Sequence, residues 1–156
     1  ETFSLLLSKL ARISATFIDV QLSAGASAFQ LFDSWAGYLN RRDYDDHVLE
    51  HSTAVFDALA GHDVPSIHFG VQTGELLSSM AEAGSSAMGV DFRVALTDAA
   101  TRIQPGQALQ GNLDPALLKD MPTTPENIAN QVAMNVTFWA DYGEQLEQRF
   151  NAWAAR

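Results

Sequence analysis

Gln30-Leu31-Phe32-Asp33-Ser34-Trp35-Ala36-Gly37 is the stretch on which the reading of this chain turns. Residues 28–32 lead into it as a short apolar run of strand length. The run stops at an acid, a hydroxyl, an indole and a glycine, and a helical pattern follows. A strand that delivers polar groups at its carboxyl end, with a helix behind it, is how an α/β protein builds a functional rim.

The same alternation extends outward on both sides. Ahead of the rim, Phe3, Leu6, Leu7, Leu10, Ile13, Phe17 and Val20 recur at helical spacing, and Gly25 stops that helix. Behind it, residues 41–59 predict a second helix with Tyr44, Val48, Val55 and Leu59 on its apolar side. Residues 64–69 are the next strand, Gly70 and Gly74 bracket a loop, and 75–83 predict a short helix. Residues 87–90 form a strand closed by Asp91, 96–103 a helix, and 108–112 a fourth strand after the Pro105-Gly106 turn. Helix and strand alternate with no hairpin signal, which predicts parallel βαβ units. The expected fold is α/β: a partial TIM-type (β/α) barrel of about four parallel strands with flanking helices.

The last segment reads differently. Ile128, Val132, Val136, Trp139, Leu146, Phe150 and Trp153 mark a helical stripe, opened by Thr124-Pro125. A long C-terminal helix is expected, kinked or divided at Gly143. The chain is thus read as one domain over 1–156, an incomplete barrel with βα units over 1–118 and a divergent helical tail over 119–156. An open barrel leaves strand edges, and these should be covered by the terminal helices or a partner chain.

Composition narrows the function. Nineteen acids against nine bases give a net charge of −10, which disfavours nucleic acid and anionic membrane surfaces as partners. No apolar run approaches the roughly 20 residues of a membrane span. Cysteine is absent, which removes disulfides, thiolate metal sites and a Cys nucleophile, and fits a reducing compartment. Lys9, Arg12 and Asp19 rule out a signal peptide in the first helix. Glu1 is not an initiator Met, so a slice of a longer chain or a processed product is expected.

Four strand ends offer polar groups: Asp33 and Ser34, then Gly70 to Gly74, then Asp91, then Asn112 and Asp114. They include no evident cation cluster. Ser34 lies outside the Gly-x-Ser-x-Gly elbow and reads either as a nucleophile or as a loop-capping hydroxyl. Asp33 reads either as a catalytic carboxylate or as an Asx-turn residue. His47 and His51 stand four apart on an outer helix but lack the further ligands of a zinc site, and read as a surface pair. His68 reads as a satisfied buried imidazole and His62 as a solvated turn residue. Gly70-Val71-Gln72-Thr73-Gly74 precedes a helix but has neither the P-loop Lys nor a dinucleotide fingerprint, so it is a weak anion site. No metal site or cofactor is expected.

The octapeptide resembles a motif of the uroporphyrinogen decarboxylase family. The resemblance continues through Ile67-His68-Phe69-Gly70-Val71-Gln72-Thr73-Gly74-Glu75-Leu76-Leu77, Met80-Ala81-Glu82-Ala83-Gly84, Gly89-Val90-Asp91-Phe92-Arg93-Val94 and Leu109-Gln110-Gly111-Asn112-Leu113-Asp114-Pro115-Ala116. These blocks stand in the order of the bacterial members and span roughly residues 6–118, the middle-to-late part of the enzyme. The match fades beyond about Val136.

The resemblance implies a TIM-type barrel enzyme, a carbon–carbon lyase that converts the four acetate side chains of uroporphyrinogen to the methyls of coproporphyrinogen in haem biosynthesis. It implies a tetrapyrrole substrate, no cofactor, a cytoplasmic location and a homodimer. Ser34 matches the family's substrate-contacting serine, and Phe32 and, more weakly, Asp33 fall within the substrate wall. The family's arginine-bearing segment, pyrrole-binding aspartate and tyrosine precede the matched region, and its late histidine motif has no counterpart. The isolated chain is therefore expected to be inactive. Two other readings stand beside this one: a non-catalytic remnant that only binds or dimerises, and a cobalamin-linked methyltransferase relative. The latter would use a cysteine-containing zinc site, which this chain lacks.

Overall fold

The computed structural model describes residues 2–114 and Gln148. The chain divides into the units Glu1–Pro115 and Ala116–Arg156, and the architecture below is that of the first. The expected C-terminal helix lies outside the described residues.

Its elements are α1 (Thr2–Ser23), β1 (Phe29–Phe32), α2 (Arg41–His47), α3 (Leu49–Leu59), β2 (Ser66–Phe69), α4 (Leu77–Glu82), β3 (Ala87–Gly89), α5 (Leu96–Ala99) and β4 (Ala108–Gln110). Single 3₁₀ turns, Ala36–Tyr38 and Gly74–Leu76, follow the first two strands. The strands form one sheet in the order β1-β2-β3-β4, and every pairing is parallel. A doubly wound sheet reverses its strand order at a switch point, whereas a barrel adds each strand beside the last. The observed order does not reverse, so this is a sector of a TIM-type barrel.

Register sorts the side chains into layers, because successive residues of a strand point to opposite faces. Leu31, His68, Met88 and Leu109 share one row. Met88 and Leu109 pack with Tyr44, Leu76, Leu77 and Met80 in one core cluster, and Leu31 packs with Val55 and Leu59 in the other. That row therefore faces the helices. On the opposite face, Gln30, Ile67, Ala87 and Ala108 form one row, and Phe32, Phe69, Gly89 and Gln110 form the next toward the carboxyl ends.

Two helices depart from the sequence reading. The helix expected over 41–59 divides at Val48, whose φ of −117° lies well off the α-helical value. The division lets Tyr44 enter one core cluster while Val55 and Leu59 enter the other. Asn40 caps α2, its side-chain oxygen accepting the Asp43 N–H at 2.9 Å.

The apolar stripe of α1 is not the face the helix buries. Ala11, Ala15 and Leu22 pack against Val55 and Leu59, since small side chains let α1 approach α3 closely. Phe3, Leu6, Leu10, Ile13, Phe17 and Val20 stay exposed, from 49% at Leu10 to 68% at Phe17. The helix ends in a Schellman arrangement, with Ala26 N–H on the Gln21 carbonyl and Gly25 N–H on that of Leu22. Helix α1 flanks β1 and leaves beside it a groove of about 430 Å³ lined by Ser14, Phe17, Gln21 and Phe29 to Phe32.

The remaining boundaries move by one to four residues. The strands are shorter than their apolar runs, and the helix expected over 96–103 is regular only over Leu96–Ala99 before passing into turns.

Candidate active-site rim

Parallel strands bring all four carboxyl ends to one edge, and the loops after them form the rim. The loop after β1 is pinned through its backbone. Asp33 N–H donates to the Phe69 carbonyl at 2.7 Å, and the Asp33 carbonyl accepts the Ala36 N–H at 3.1 Å. Gly37 lies so close to Val71 and Gln72 that an added Cβ would collide with both, which locks this loop against the loop after β2.

The three candidates of the octapeptide are placed differently. Phe32 is 64% exposed on the sheet face opposite the helices, its ring edge-on to Phe69 at 5.9 Å and 78°. Ser34 is exposed, and its hydroxyl is unengaged among the described residues. Asp33 turns the other way. Its carboxylate accepts a hydrogen bond from the Tyr44 hydroxyl at 3.3 Å and faces His68 Nε2 at 3.6 Å. Phe32 and Ser34 thus remain surface groups, while Asp33 is largely turned inward.

Beneath Asp33, Tyr44 and His68 are fully buried. Burial first, and then the neighbouring Asp33 charge, push the Tyr44 hydroxyl well above the ordinary phenol range, so it is held as a donor. His68 Nδ1 lies 3.2 Å from the Met80 carbonyl. A carbonyl only accepts, so Nδ1 carries the proton and Nε2 is the nitrogen that faces Asp33. His68 is buried as expected, but only one of its nitrogens is hydrogen-bonded.

The loops after β2 and β3 are joined by Asp91. Its carboxylate accepts from Gln72 N–H at 2.5 Å, Arg93 N–H at 2.9 Å and Arg93 Nη1 at 2.9 Å. Gln72 holds a left-handed φ of 60°, a conformation that non-glycine residues rarely adopt. The expected anion-binding loop therefore spends this amide on the protein's own carboxylate. Asn112 extends the clasp to β4, its Nδ2 donating to the carbonyls of Asp91 at 2.9 Å and Val94 at 2.5 Å.

Arg93 is the rim residue that strand-end reasoning passed over. It is half-exposed, paired with Asp91 and laid over the Phe92 ring at 4.3 Å. An Asp-x-Arg spacing at the end of a strand was the available signal.

Gly89 shapes the sheet face opposite the helices. An added Cβ there would stand 2.8 Å from Phe69 Cδ2, so the missing side chain is the space into which the Phe69 ring leans. The result is a surface of Phe32, Phe69 and Gly89 bounded by Gln110.

The histidines elsewhere are structural. His47 and His51 fall on different helices, and His51 is buried rather than half of a surface pair. His62 pairs with Asp19 at 2.7 Å and is only partly exposed, a correction to the solvated turn residue expected there. No cluster of three potential metal ligands occurs among the described residues.

Comparison with known proteins gives one answer. The family model described as uroporphyrinogen decarboxylase (URO-D) matches residues 1–145, further along the chain than the motif blocks reach. The uroporphyrinogen decarboxylase of Streptomyces coelicolor is 59% identical over 113 residues, covering 72% of this chain and 32% of the relative. That of Nocardia farcinica is 53% identical over 133 residues, covering 85% and 38%. That of Mycolicibacterium gilvum is 54% identical over 123 residues, covering 76% and 35%. The chain thus spans about a third of the length of the curated relatives it matches.

Proposed function

The chain belongs to the uroporphyrinogen decarboxylase family, and from that premise we propose that its rim is one wall of a site that decarboxylates the acetate side chains of uroporphyrinogen, giving coproporphyrinogen. The observation that carries this reading is the pairing of that match with an exposed Ser34 two residues after Phe32, whose exposed ring meets Phe69 edge-on. A tetrapyrrole needs an apolar face to lie against and a polar group at its edge, and these residues supply both.

The chemistry sets the roles. Loss of CO2 leaves an electron pair on the side-chain carbon, and protonation of the pyrrole ring gives those electrons somewhere to go. The enzyme must therefore hold the macrocycle, neutralise its carboxylates and present an acid. In our reading Phe32 packs against the macrocycle and Ser34 hydrogen-bonds its edge, while Asp33 contributes less directly. Arg93 is the exposed-side cation of this rim, already paired with Asp91. The described rim otherwise offers no acid positioned beside Ser34, so binding without turnover is the expected behaviour of the chain by itself.

The wider reading follows the family: a homodimer in the cytoplasm that acts on a small tetrapyrrole rather than on nucleic acid or membrane. It is supported by the net charge of −10, and no helix among the described residues is long and apolar enough to cross a membrane. Family-like βα units over 1–118, followed by a distinct tail, remain our view of the domain organisation.

The test is to incubate the chain with uroporphyrinogen under anaerobic conditions and separate the porphyrins after oxidation. Uroporphyrin binding that weakens about tenfold in Ser34→Ala and Phe32→Ala, the loss of one hydrogen bond or one ring contact, supports the reading. Binding that neither substitution alters would reject it, and coproporphyrin formed by the chain alone would reject the expectation of no turnover.

A further inference from the structure

Asp33 sits between the two residues assigned to substrate contact, yet its carboxylate points away from the surface they form. We propose that Asp33 is a positioning residue: clamped between the buried Tyr44 hydroxyl and His68, it fixes the Phe32–Ser34 rim instead of touching the ligand. The proposal rests on the reading that Phe32 and Ser34 meet the tetrapyrrole, and it assigns the structure beneath them.

Three features support it. First, the carboxylate has partners from two different elements, Tyr44 of α2 and His68 of β2, so it ties β1's end to both. Second, those partners are themselves immobilised. Tyr44 lies within a core cluster, and His68 is held by the Met80 carbonyl and stacked obliquely on Phe56 at 5.3 Å between centroids. Third, the Asp33 backbone carries the turn, accepting the Ala36 N–H that starts the 3₁₀ segment after Ser34. A torsion lost at Asp33 is therefore passed to Ser34 and Trp35. The side chain retains 22% exposure, too little for a freely solvated rim acid. The Tyr44 hydroxyl donates to the carboxylate from below, which partly offsets its need for a donor on the ligand side.

The arrangement predicts which groups act as a unit. Removing the carboxylate charge or the phenol hydroxyl should loosen the same segment, and removing both should do little more than removing either. A residue that contacted only the ligand would show no such coupling in the free protein.

The test uses the full chain with Asp33→Asn, Tyr44→Phe, the double substitution, and Ser34→Ala. Amide hydrogen exchange is followed at Ala36, Tyr38 and Leu39, whose N–H groups are hydrogen-bonded in the turn, with Met88 in β3 as the measure of global opening, and uroporphyrin binding is followed in parallel. We expect each single substitution to speed exchange at the three rim amides about tenfold relative to Met88, the effect of one charge-assisted hydrogen bond. The double substitution should add less than twofold, and Ser34→Ala should leave Ala36 unchanged. Nitrogen-15 shifts of His68 should show the proton on Nδ1. Rim exchange that is unchanged, or that rises only in step with Met88, overturns the proposal. So does weakened uroporphyrin binding in Asp33→Asn with rim exchange intact, because Asp33 would then be a direct contact. If uroporphyrin fails to bind the unsubstituted chain, the functional reading fails while the exchange experiment still decides the role of Asp33.

Discussion

Replacing Gly89 with alanine should damage the proposed binding surface and the sheet together, and the size of the effect follows from the geometry. The added Cβ would lie 2.8 Å from Phe69 Cδ2, 2.9 Å from Phe69 Cβ and 3.2 Å from Phe69 Cγ. Carbon atoms pack favourably at about 3.5–4.0 Å, so the overlap is roughly 0.6 to 1 Å. Rotating the ring relieves the Cδ2 contact. It does not relieve the Cβ contact, because that atom is fixed to the β2 backbone at the position paired with Gly89. The two strands must therefore shift, and overpacking of this kind costs about 1–3 kcal/mol. Alanine returns about 0.4–1 kcal/mol by restricting the unfolded chain. The net loss is about 1–2 kcal/mol.

Urea unfolding of the full chain measures this directly. With a slope of about 2 kcal/mol per molar for a chain of this size, the midpoint should fall by about 0.5–1 M. Gly61→Ala is the control, since a Cβ there meets nothing within 4 Å; it should leave the midpoint level or raise it slightly. In Gly89→Ala, the ring-current shifts that Phe32 and Phe69 impose on each other should also change, because their edge contact at 5.9 Å cannot survive the displacement. A midpoint equal to or above that of the unsubstituted chain, with those shifts intact, would refute the claim that Phe69 occupies the space above Gly89.

Two further outcomes are expected. Tyr44 ionises in the unfolded chain near pH 10, but its folded value is raised, so its contribution is complete below that pH and declines as pH climbs toward the folded value. Stability should therefore fall above about pH 10, less steeply in Tyr44→Phe, and one phenol should resist alkaline titration at 295 nm until the chain unfolds. Asp91→Ala leaves the Gln72 amide and the Arg93 guanidinium without their shared carboxylate, and should cost about 2–4 kcal/mol; Asp91→Asn, which keeps the shape, should cost about half as much by thermal unfolding.

The fold was legible where the signal is local. Short runs such as Ile67-His68-Phe69 and Ala108-Leu109-Gln110, each closed by glycine, marked β2 and β4 because a parallel strand is short and punctuated. The orientation of α1 was not legible. Periodicity shows which face of a helix is apolar, but not which neighbour is present to cover it, and here Ala11 and Ala15 make the contact while Phe17 does not. The break at Val48 was hidden for a related reason: it answers to two core clusters that only the folded chain separates. At the rim, Ser34 and Phe32 could be chosen from one octapeptide. The inward turn of Asp33 could not, because Tyr44 lies 11 residues away and the other partner belongs to a different strand. Asp91 and Gln72, 19 residues apart, were hidden in the same way.

A net charge of −10 stands against the proposed substrate, which carries eight carboxylates. The placement of the acids eases that conflict. Of the rim carboxylates, Asp91 accepts from two backbone amides and Arg93, and Asp33 accepts from the Tyr44 hydroxyl. Asp43, Asp45 and Asp46 lie on α2, where Asp45 and Asp46 pair with Arg41 and Arg42 and Asp43 with Asn40. A carboxylate whose donors are already in place projects far less field than its formal charge implies, and charges more than about 10 Å away are largely screened at physiological salt. The rim turns outward Ser34, the Phe32 ring and the half-exposed Arg93, and it also carries the exposed Glu75, which lies 3.7 Å from Arg102. Among the described residues, several of the acids near the strand ends are thus already paired, which lowers the field that a polyanion meets at this wall.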